Sequence, residues 1–258
     1  MRTSAVAATG TATAALLLSL GATPAQASPT PVITKVVVNK GKNIVVGPSA
    51  TTSFTSQITA SHPAGVSYQF VNLWHGTTYD TYDRAVSYSD VPQCTTSGTA
   101  TTCTLKHQIT PDPREMTNVV SNVQASTWHV FAYAWSKDRT ETALYDYATI
   151  KVQRASKLTV NASPEPVRKG KTITVTGALT RANWNTHTWA GYSGQSVKLQ
   201  YRPKNASTYT TVKTLTTSST GKLSTTVKAS ADGYYRYVFA GTSTTPAATA
   251  AADYVDVT

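Results

Sequence analysis

Short runs of alternating hydrophobic and polar residues recur along the chain from about residue 30 onward. The runs KTITVTGAL, SVKLQYR and GYYRYVFAG place valine, leucine, tyrosine or phenylalanine at every second position, with mostly polar residues between them. A period of two is the spacing of a β-strand that buries one face. Glycine, proline, asparagine and serine separate the runs, as they do at turns. The pattern predicts an all-β chain of short antiparallel strands.

Seven such runs within residues 155–258 are typical of an immunoglobulin-like β-sandwich. The residues predicted to face its core are Ile173, Val175, Leu179, Val197, Leu199, Tyr201, Leu223, Val227, Tyr235, Tyr237, Phe239, Val255 and Val257. The entry Gly233-Tyr234-Tyr235 resembles the tyrosine corner that ties the sixth strand of such folds to its own backbone. Residues 28–154 repeat the rhythm in PVITKVVV, VSYQFVNLW and WHVFAYAW. We therefore expect two tandem antiparallel immunoglobulin-like sandwiches, residues 28–154 and 155–258.

The first 27 residues have the features of a cleaved secretory signal peptide. They carry a cation at Arg2, an apolar stretch around Ala14 to Leu20, and Ala25-Gln26-Ala27 as the small-x-small cleavage signature. No later run approaches the ~18 to 20 apolar residues that a membrane span needs. The sequence predicts cleavage after Ala27 and a secreted, extracellular protein with no membrane span.

Two cysteines, Cys94 and Cys103, flank the segment TTSGTATT. If Gly98-Thr99 is a two-residue hairpin turn, the two cysteines face each other at a non-hydrogen-bonded position, where the Cα atoms come closest. A reactive thiol or a metal ligand is disfavoured, because there is no CxxC spacing and no cationic neighbour. In an exported chain the pair predicts a structural disulfide.

The chain has a formal net charge of +11 that is unevenly distributed. Residues 28–154 carry ten Lys or Arg and eight Asp or Glu, whereas residues 155–258 carry twelve and four. The basic half favours attraction to a polyanion such as a cell-wall polymer or an anionic glycan, without a specific nucleic-acid partner. The cations that we single out are Arg168, Lys169, Lys171 and Arg181. The alternative is that outward strand positions simply carry solvated lysine.

The segment RANWNTHTWAGYSG is predicted to be a long loop between two strands of the second sandwich. It contains Trp184, Trp189 and Tyr192, close in sequence to Arg181. Exposed rings on such a loop could stack on the sugar rings of a glycan. The alternative is that they cap the open end of the core, where large rings bury area while their polar atoms stay wet.

The acidic residues near the cysteine pair suggest a second kind of site. Calcium in a loop site of low affinity would be held by carboxylates from two segments, Asp80, Asp83 and Asp90 together with Asp112 and Glu115. The second segment could instead supply Asp138 and Glu141. A helix-loop-helix calcium site is excluded, because Ala85 and Val91 occupy the positions of its required glycine and glutamate. The alternative is a solvated loop that Arg84, Arg114 and Arg139 neutralise.

None of the usual catalytic motifs is present. The segment GYSGQS has Gln195 where the second glycine of a G-x-S-x-G nucleophile motif belongs. There is no HExxH motif or phosphate-binding glycine loop, and the three glutamates fall in different predicted loops. The sequence predicts a protein that is not an enzyme and requires no cofactor, with calcium as the one candidate ion.

Several of these segments resemble a known family. SKLTVNASPEPVRKGKTITVTGALT, DGYYRYVFAG and VNLWHGTTYD before the cysteine pair are similar to small secreted immunoglobulin-like proteins of filamentous soil bacteria. The resemblance covers nearly the whole mature chain and implies two immunoglobulin-like domains after a signal peptide. Members are often labelled hypothetical or calcium-binding. Where many carry a denser acidic run after LWHG, this chain has only Asp80 and Asp83.

Together, these features predict a secreted, monomeric, non-catalytic binding or adhesion protein. Its expected ligand is an anionic or glycan component of the extracellular milieu or the cell wall. The alternative function is calcium binding through the acidic loop of the first sandwich.

Overall fold

The computed structural model describes residues 28–115 and 117–258, so the predicted signal peptide lies outside the described residues. The described chain is all-β apart from three short 3-10 turns, which confirms the predicted fold class. No helix in these two ranges is long and apolar enough to cross a lipid bilayer.

The strands up to residue 154 form the first sandwich. They are β1 (Val32–Val38), β2 (Ile44–Val46), β3 (Thr52–Ser61), β4 (Val66–His75), β5 (Arg84–Val86), β6 (Gln93–Ser97), β7 (Ala100–Ile109), β8 (Ser126–Ser136) and β9 (Glu141–Arg154). One sheet has the order β1-β3-β7-β6 and the other β2-β9-β8-β4-β5. All pairs are antiparallel except β2 with β9. This strand order is that of an immunoglobulin-like sandwich, with an additional strand beside β4.

The strands after residue 155 form the second sandwich. They are β10 (Ser156–Leu158), β11 (Asn161–Ser163), β12 (Thr172–Asn183), β13 (Thr188–Gly191), β14 (Ser196–Pro203), β15 (Thr210–Thr216), β16 (Lys222–Lys228), β17 (Gly233–Phe239), β18 (Ala248–Thr249) and β19 (Asp253–Val255). In one sheet β12 pairs with β10, β11, β13 and β16, and the other has the order β15-β14-β17, with β18 and β19 beside β17. This order is also immunoglobulin-like.

The core of the second sandwich consists of the residues that the alternation predicted. Ten of them are buried in one cluster, and Tyr201, Val227 and Val257 pack against it. The predicted tyrosine corner differs in detail. Within the described residues it is Tyr201 of β14 whose hydroxyl donates to the carbonyls of Ala231 and Asp232, at 2.9 and 3.2 Å. The tie to the start of β17 therefore comes from the neighbouring strand.

The predicted disulfide is confirmed. Cys94 of β6 lies opposite Cys103 of β7, and their Cα atoms are 4.0 Å apart. Gly98 adopts a φ of +59° in the turn, a conformation that costs glycine little. Cys103 is buried in the core whereas β6 is exposed, so the bond holds an edge strand to the sandwich.

The predicted aromatic loop is largely a β-hairpin. β12 continues to Asn183 and pairs with β13, and the amides of Asn185 and Thr186 donate to the Asn183 side-chain oxygen in the turn. Trp184, in this turn, is buried against the core of the first sandwich. Its indole N–H donates to the carbonyl of Val46, 3.2 Å away. The hairpin therefore docks onto the first sandwich.

Polar contacts complete this seam between the sandwiches. The side-chain amide of Asn122 donates to the Asn183 side-chain oxygen at 2.8 Å, and its own oxygen accepts from the Trp184 amide at 2.9 Å. The Gln153 side chain donates to the carbonyl of Thr242 at 3.0 Å. Because one buried cluster runs across the seam, the division into two independent domains at residue 154 stays a prediction.

The core of the first sandwich contains a buried imidazole. The Nε2 atom of His107 lies 2.8 Å from the hydroxyl of Ser56, and its ring stacks on Phe54 with centroids 4.9 Å apart. Burial lowers the pKa of His107 to about 4, because a cationic imidazole would lose its hydration there. His107 is therefore neutral in the folded protein at neutral pH.

We expect the free energy of unfolding to fall as the pH drops from 6.5 towards 4, the unfolded and folded pKa values of His107. Above pH 6.5 neither state binds the proton, so the stabilisation is complete. Between pH 6.5 and 4 only the unfolded chain binds it, because the folded pKa is depressed, and the stabilisation is lost. The loss should reach about 2–3 kcal/mol. Urea unfolding of the wild type and of the Ser56→Ala/His107→Leu variant measures it. Equal pH dependences in the two proteins would contradict this account.

Candidate functional site

The five carboxylates of the predicted calcium site do not form one cluster. No three histidine, cysteine, aspartate or glutamate side chains converge as metal ligands within residues 28–115 and 117–258. Asp90 pairs with Lys106 at 3.5 Å, and Asp112 pairs with Arg114 at 2.5 Å. Hydrogen bonds from Arg114 lower the pKa of Asp112 to about 2. Asp80 and Glu115 are exposed.

Asp83 instead belongs to a hydrogen-bond network that closes the loop after β4. Its carboxylate lies 2.5 Å from Nδ1 of His75 and accepts from the Gln124 side chain at 3.0 Å. The other nitrogen of His75 lies 2.8 Å from the Ser126 hydroxyl. Burial alone would raise the pKa of Asp83, but the hydrogen bonds from His75 and Gln124 outweigh it and lower the pKa. The arrangement fits a structural role for this carboxylate.

The residues of the predicted ligand-binding loop occupy different environments. Trp184 is 1% exposed at the seam and has no surface available to a ligand, because its docking on the first sandwich covers it. Tyr192 is buried in the second core beneath the guanidinium of Arg181, 3.9 Å from its ring centroid. Trp189 is partly buried, with the Lys157 ammonium 4.1 Å above its ring. The structure therefore buries Tyr192 in the second core and Trp184 on the first sandwich, rather than placing Trp184 over the open end of the second core.

The three predicted loop cations are exposed before β12. Arg168, Lys169 and Lys171 surround a turn in which Gly170 has a φ of +80° and the Lys171 amide donates to the Arg168 carbonyl. Lys169 lines the same surface depression as Lys204 and Asp232. The loop thus adds positive charge at one end of the second sandwich.

A basic tyrosine face covers the outer side of the β15-β14-β17 sheet. Val197 and Leu199 of β14 and Tyr235 and Tyr237 of β17 point into the core, so the residues between them point outward. We define the basic tyrosine face by Lys198, Gln200, Arg202, Lys204, Tyr209, Tyr234, Arg236 and Tyr254.

Cations and rings alternate across the basic tyrosine face. The Arg202 guanidinium lies 4.2 Å from the ring centroid of Tyr234 and 5.3 Å from that of Tyr209. The Arg236 guanidinium lies 3.7 Å from the Tyr209 centroid, and its Nε donates to the Gln200 side chain at 2.9 Å. Within the described residues neither arginine has a carboxylate at ion-pair distance. Two oriented guanidinium groups are therefore without a counter-charge.

A second notable surface, the aromatic face, covers the outer side of the β5-β4-β8-β9 sheet of the first sandwich. It consists of Tyr68, Phe70, Trp74, Tyr79, Tyr82, His129, Phe131, Tyr133, Trp135 and Tyr145, which stack in continuous contact. Tyr68, Tyr82 and Tyr145 are 43%, 48% and 51% exposed. Hydrogen bonds join Tyr133 to Glu141 and His129 to Asp146 at its border.

The alternation along β8 carried the signal for the aromatic face. In WHVFAYAW the inward positions hold Trp128, Val130 and two alanines, while the outward positions hold His129, Phe131, Tyr133 and Trp135. A strand that is apolar on both faces, in an antiparallel sheet with one face outside the core, indicates an exposed apolar surface. The basic tyrosine face gave a weaker signal, because its three rings come from three separate segments.

Comparison with known proteins identifies no family for this chain. No protein-family model matches the chain, and no curated protein matches it. Among solved structures it is similar to dimeric latent PorU from Porphyromonas gingivalis, at 11% identity and a TM-score of 0.30, over 89% of this chain and 20% of that one. It is also similar to the D00-D0 domain of intimin (13%, 0.28, 86% and 99%) and to the Yersinia pseudotuberculosis adhesin InvE (14%, 0.28, 85% and 58%). Likenesses of this size carry no argument about function.

We expect Asp83→Ala to lower the free energy of unfolding by about 0.5–1.5 kcal/mol, because it removes the acceptor of His75 and Gln124. Asp80→Ala, which removes an exposed carboxylate from the same loop, is the matched control and should change little. Both results should be the same in EDTA and in millimolar calcium. If calcium raises the melting temperature of the wild type and both substitutions abolish the rise, the loop is a calcium site.

Proposed function

We propose that this protein is a secreted, non-catalytic binding protein whose basic tyrosine face contacts an anionic polymer outside the cell, such as an acidic glycan of a cell wall. The observation that carries the proposal is the pair Arg202 and Arg236, held on tyrosine rings with no carboxylate partner among the described residues. The disulfide fits an oxidising, extracellular compartment.

The stacking prepares both arginines for an anion. A guanidinium presents a planar fork of donors that matches the oxygens of a carboxylate, sulfate or phosphate. The tyrosine rings restrict the orientation of that fork, so less conformational entropy is lost when an anion binds. The hydrogen bond from Arg236 to the Gln200 side chain further fixes the Arg236 guanidinium.

Several features favour a polymer over a small ligand. The basic tyrosine face is a sheet surface rather than an enclosed cleft, and Lys198 extends its charge along β14. Lys204, which follows β14, pairs with Asp232 at 3.4 Å. Residues 155–258 carry twelve Lys or Arg against four Asp or Glu, so a long anion meets a positive field over the whole sandwich. Tyrosine rings beside the cations offer apolar area to sugar rings.

The aromatic face supports a second contact, with neutral sugar rings. Its rings are partly exposed, and Asp146 and Glu141 at its border supply hydroxyl acceptors. Exposed aromatic surfaces of this kind mark interaction sites. We therefore propose glycan stacking on the aromatic face as the second candidate function.

We expect Arg202→Gln/Arg236→Gln to weaken binding to dextran sulfate by at least about tenfold, since each arginine contributes charge-assisted hydrogen bonds. The control variant Lys222→Gln/Lys228→Gln loses the same charge from β16 in the opposite sheet and should retain most of the binding. Calorimetric titration measures both, and added salt should weaken the wild-type affinity. Equal losses of affinity in the two variants would show that only net charge matters, and would overturn the proposed site.

We expect Tyr82→Ala/Tyr145→Ala to abolish the retardation of the protein in native gels that contain hydroxyethylcellulose, a neutral β-linked polysaccharide. Each lost stacking contact should cost about 0.5–1.5 kcal/mol. The Arg202→Gln/Arg236→Gln protein is the control and should still be retarded in this gel. If the neutral polysaccharide does not slow the wild-type protein in the gel, the second candidate function is wrong.

A further inference from the structure

The seam between the sandwiches contains a second group of unpaired cations, separate from the basic tyrosine face. Arg154, the last residue of β9, is 7% exposed. Its Nε donates to the carbonyl of Ala182 at 2.5 Å, and within the described residues no carboxylate lies at ion-pair distance from its guanidinium or from that of Arg181. A buried charge without a counter-charge is energetically costly.

Strand pairing brings the second cation to the same place. Ser156 of β10 lies opposite Arg181 of β12, and the Ala182 amide donates to the Ala155 carbonyl at 2.8 Å, which continues the pairing towards Arg154. Arg154 and Arg181 are therefore diagonal neighbours on one face of this ladder, within reach of long side chains. Their positive charges repel each other, and this repulsion adds to burial in lowering the pKa of Arg154 to about 10.

Hydroxyl groups lie beside Arg181. The Arg181 guanidinium lies over the ring of Tyr192, whose hydroxyl is 3.4 Å from that of Thr242. The hydroxyl of Thr245 is buried and has no hydrogen-bond partner in the described residues. Burial would raise the pKa of Tyr192, but the hydrogen bond from Thr242 and the charge of Arg181 lower it overall. Within the described residues the Thr245 hydroxyl is thus one unused donor, and the charge of Arg181 favours a negative group nearby.

We propose that Arg154, Arg181 and the hydroxyls of Tyr192 and Thr245 form a site for a small tetrahedral oxyanion, phosphate or sulfate, at the seam. The anion would receive charge-assisted hydrogen bonds from both guanidinium groups and from the hydroxyls. It would also relieve the repulsion between the two cations. Because these residues come from both sandwiches, the bound anion stabilises their docking.

This site does not depend on the proposed polymer contact. Arg154 is too deeply buried for a chain to lie across it, whereas a single oxyanion needs only the edge of its guanidinium. The free ion and the sulfate groups of a polymer share their chemistry, so inorganic sulfate and dextran sulfate are compared as separate ligands.

The test is calorimetric titration of the protein with sodium sulfate and with sodium phosphate, in chloride buffer of matched ionic strength. We expect one saturable site in the wild type and at least about tenfold weaker binding in Arg181→Gln. Tyr192→Phe keeps the ring beneath Arg181, removes one donor, and should weaken binding by a smaller factor. Lys222→Gln loses the same charge as Arg181→Gln and should leave the affinity unchanged.

Thermal unfolding provides a second readout. Sulfate stabilises most proteins without binding, so the relevant quantity is the difference between variants. We expect sulfate to raise the melting temperature of the wild type and Lys222→Gln more than that of Arg181→Gln. Equal rises in the three proteins, or binding of dextran sulfate without any binding of inorganic sulfate or phosphate, would overturn the seam site. Loss of polymer binding in Arg202→Gln/Arg236→Gln with intact sulfate binding would support two separate sites.

Discussion

Strand geometry sends alternate side chains to opposite faces of a sheet, and in this protein the faces turned away from the two cores carry the groups with binding chemistry. Each sandwich can bury only one face of each sheet within itself. The outer face of β4 and β8 is therefore left with a cluster of aromatic rings, and the outer face of β14 and β17 with stacked arginines and tyrosines.

The same constraint explains why the two sandwiches dock. β12 extends past its own sandwich. The end of the strand and the turn that follows it place Ala182 and Trp184 outside the second core. A tryptophan in that position buries a large apolar area only if another surface covers it. The first sandwich does so, and the carbonyl of Val46 accepts the indole hydrogen bond. The hairpin that could have presented rings to a ligand serves as the joint instead.

Charge is handled differently in the two halves. In the first sandwich, carboxylates such as Asp83 and Asp112 are joined to nearby donors, so they make local contacts rather than a shared metal site. In the second, Arg202 and Arg236 stack on rings, and Arg154 and Arg181 are neighbours at the seam with no carboxylate at ion-pair distance in the described part of the chain. Local pairing favours a structural role, because the charge is already compensated. Uncompensated, oriented cations are the better indication of an external anion.

The all-β class, the core of the second sandwich and the disulfide could all be predicted from the sequence. These depend on the two-residue period and on hairpin register, which act between residues close in sequence, as for Tyr237 and Phe239 on one strand or Cys94 and Cys103 across one turn. Which polar and aromatic residues come together, in contrast, depends on the tertiary fold. The proximity of Arg154 to Arg181, and of Tyr209 to Arg202 and Arg236, arises from contacts between strands distant in sequence. The burial of Trp184 likewise required a surface from the other sandwich, which no local pattern encodes.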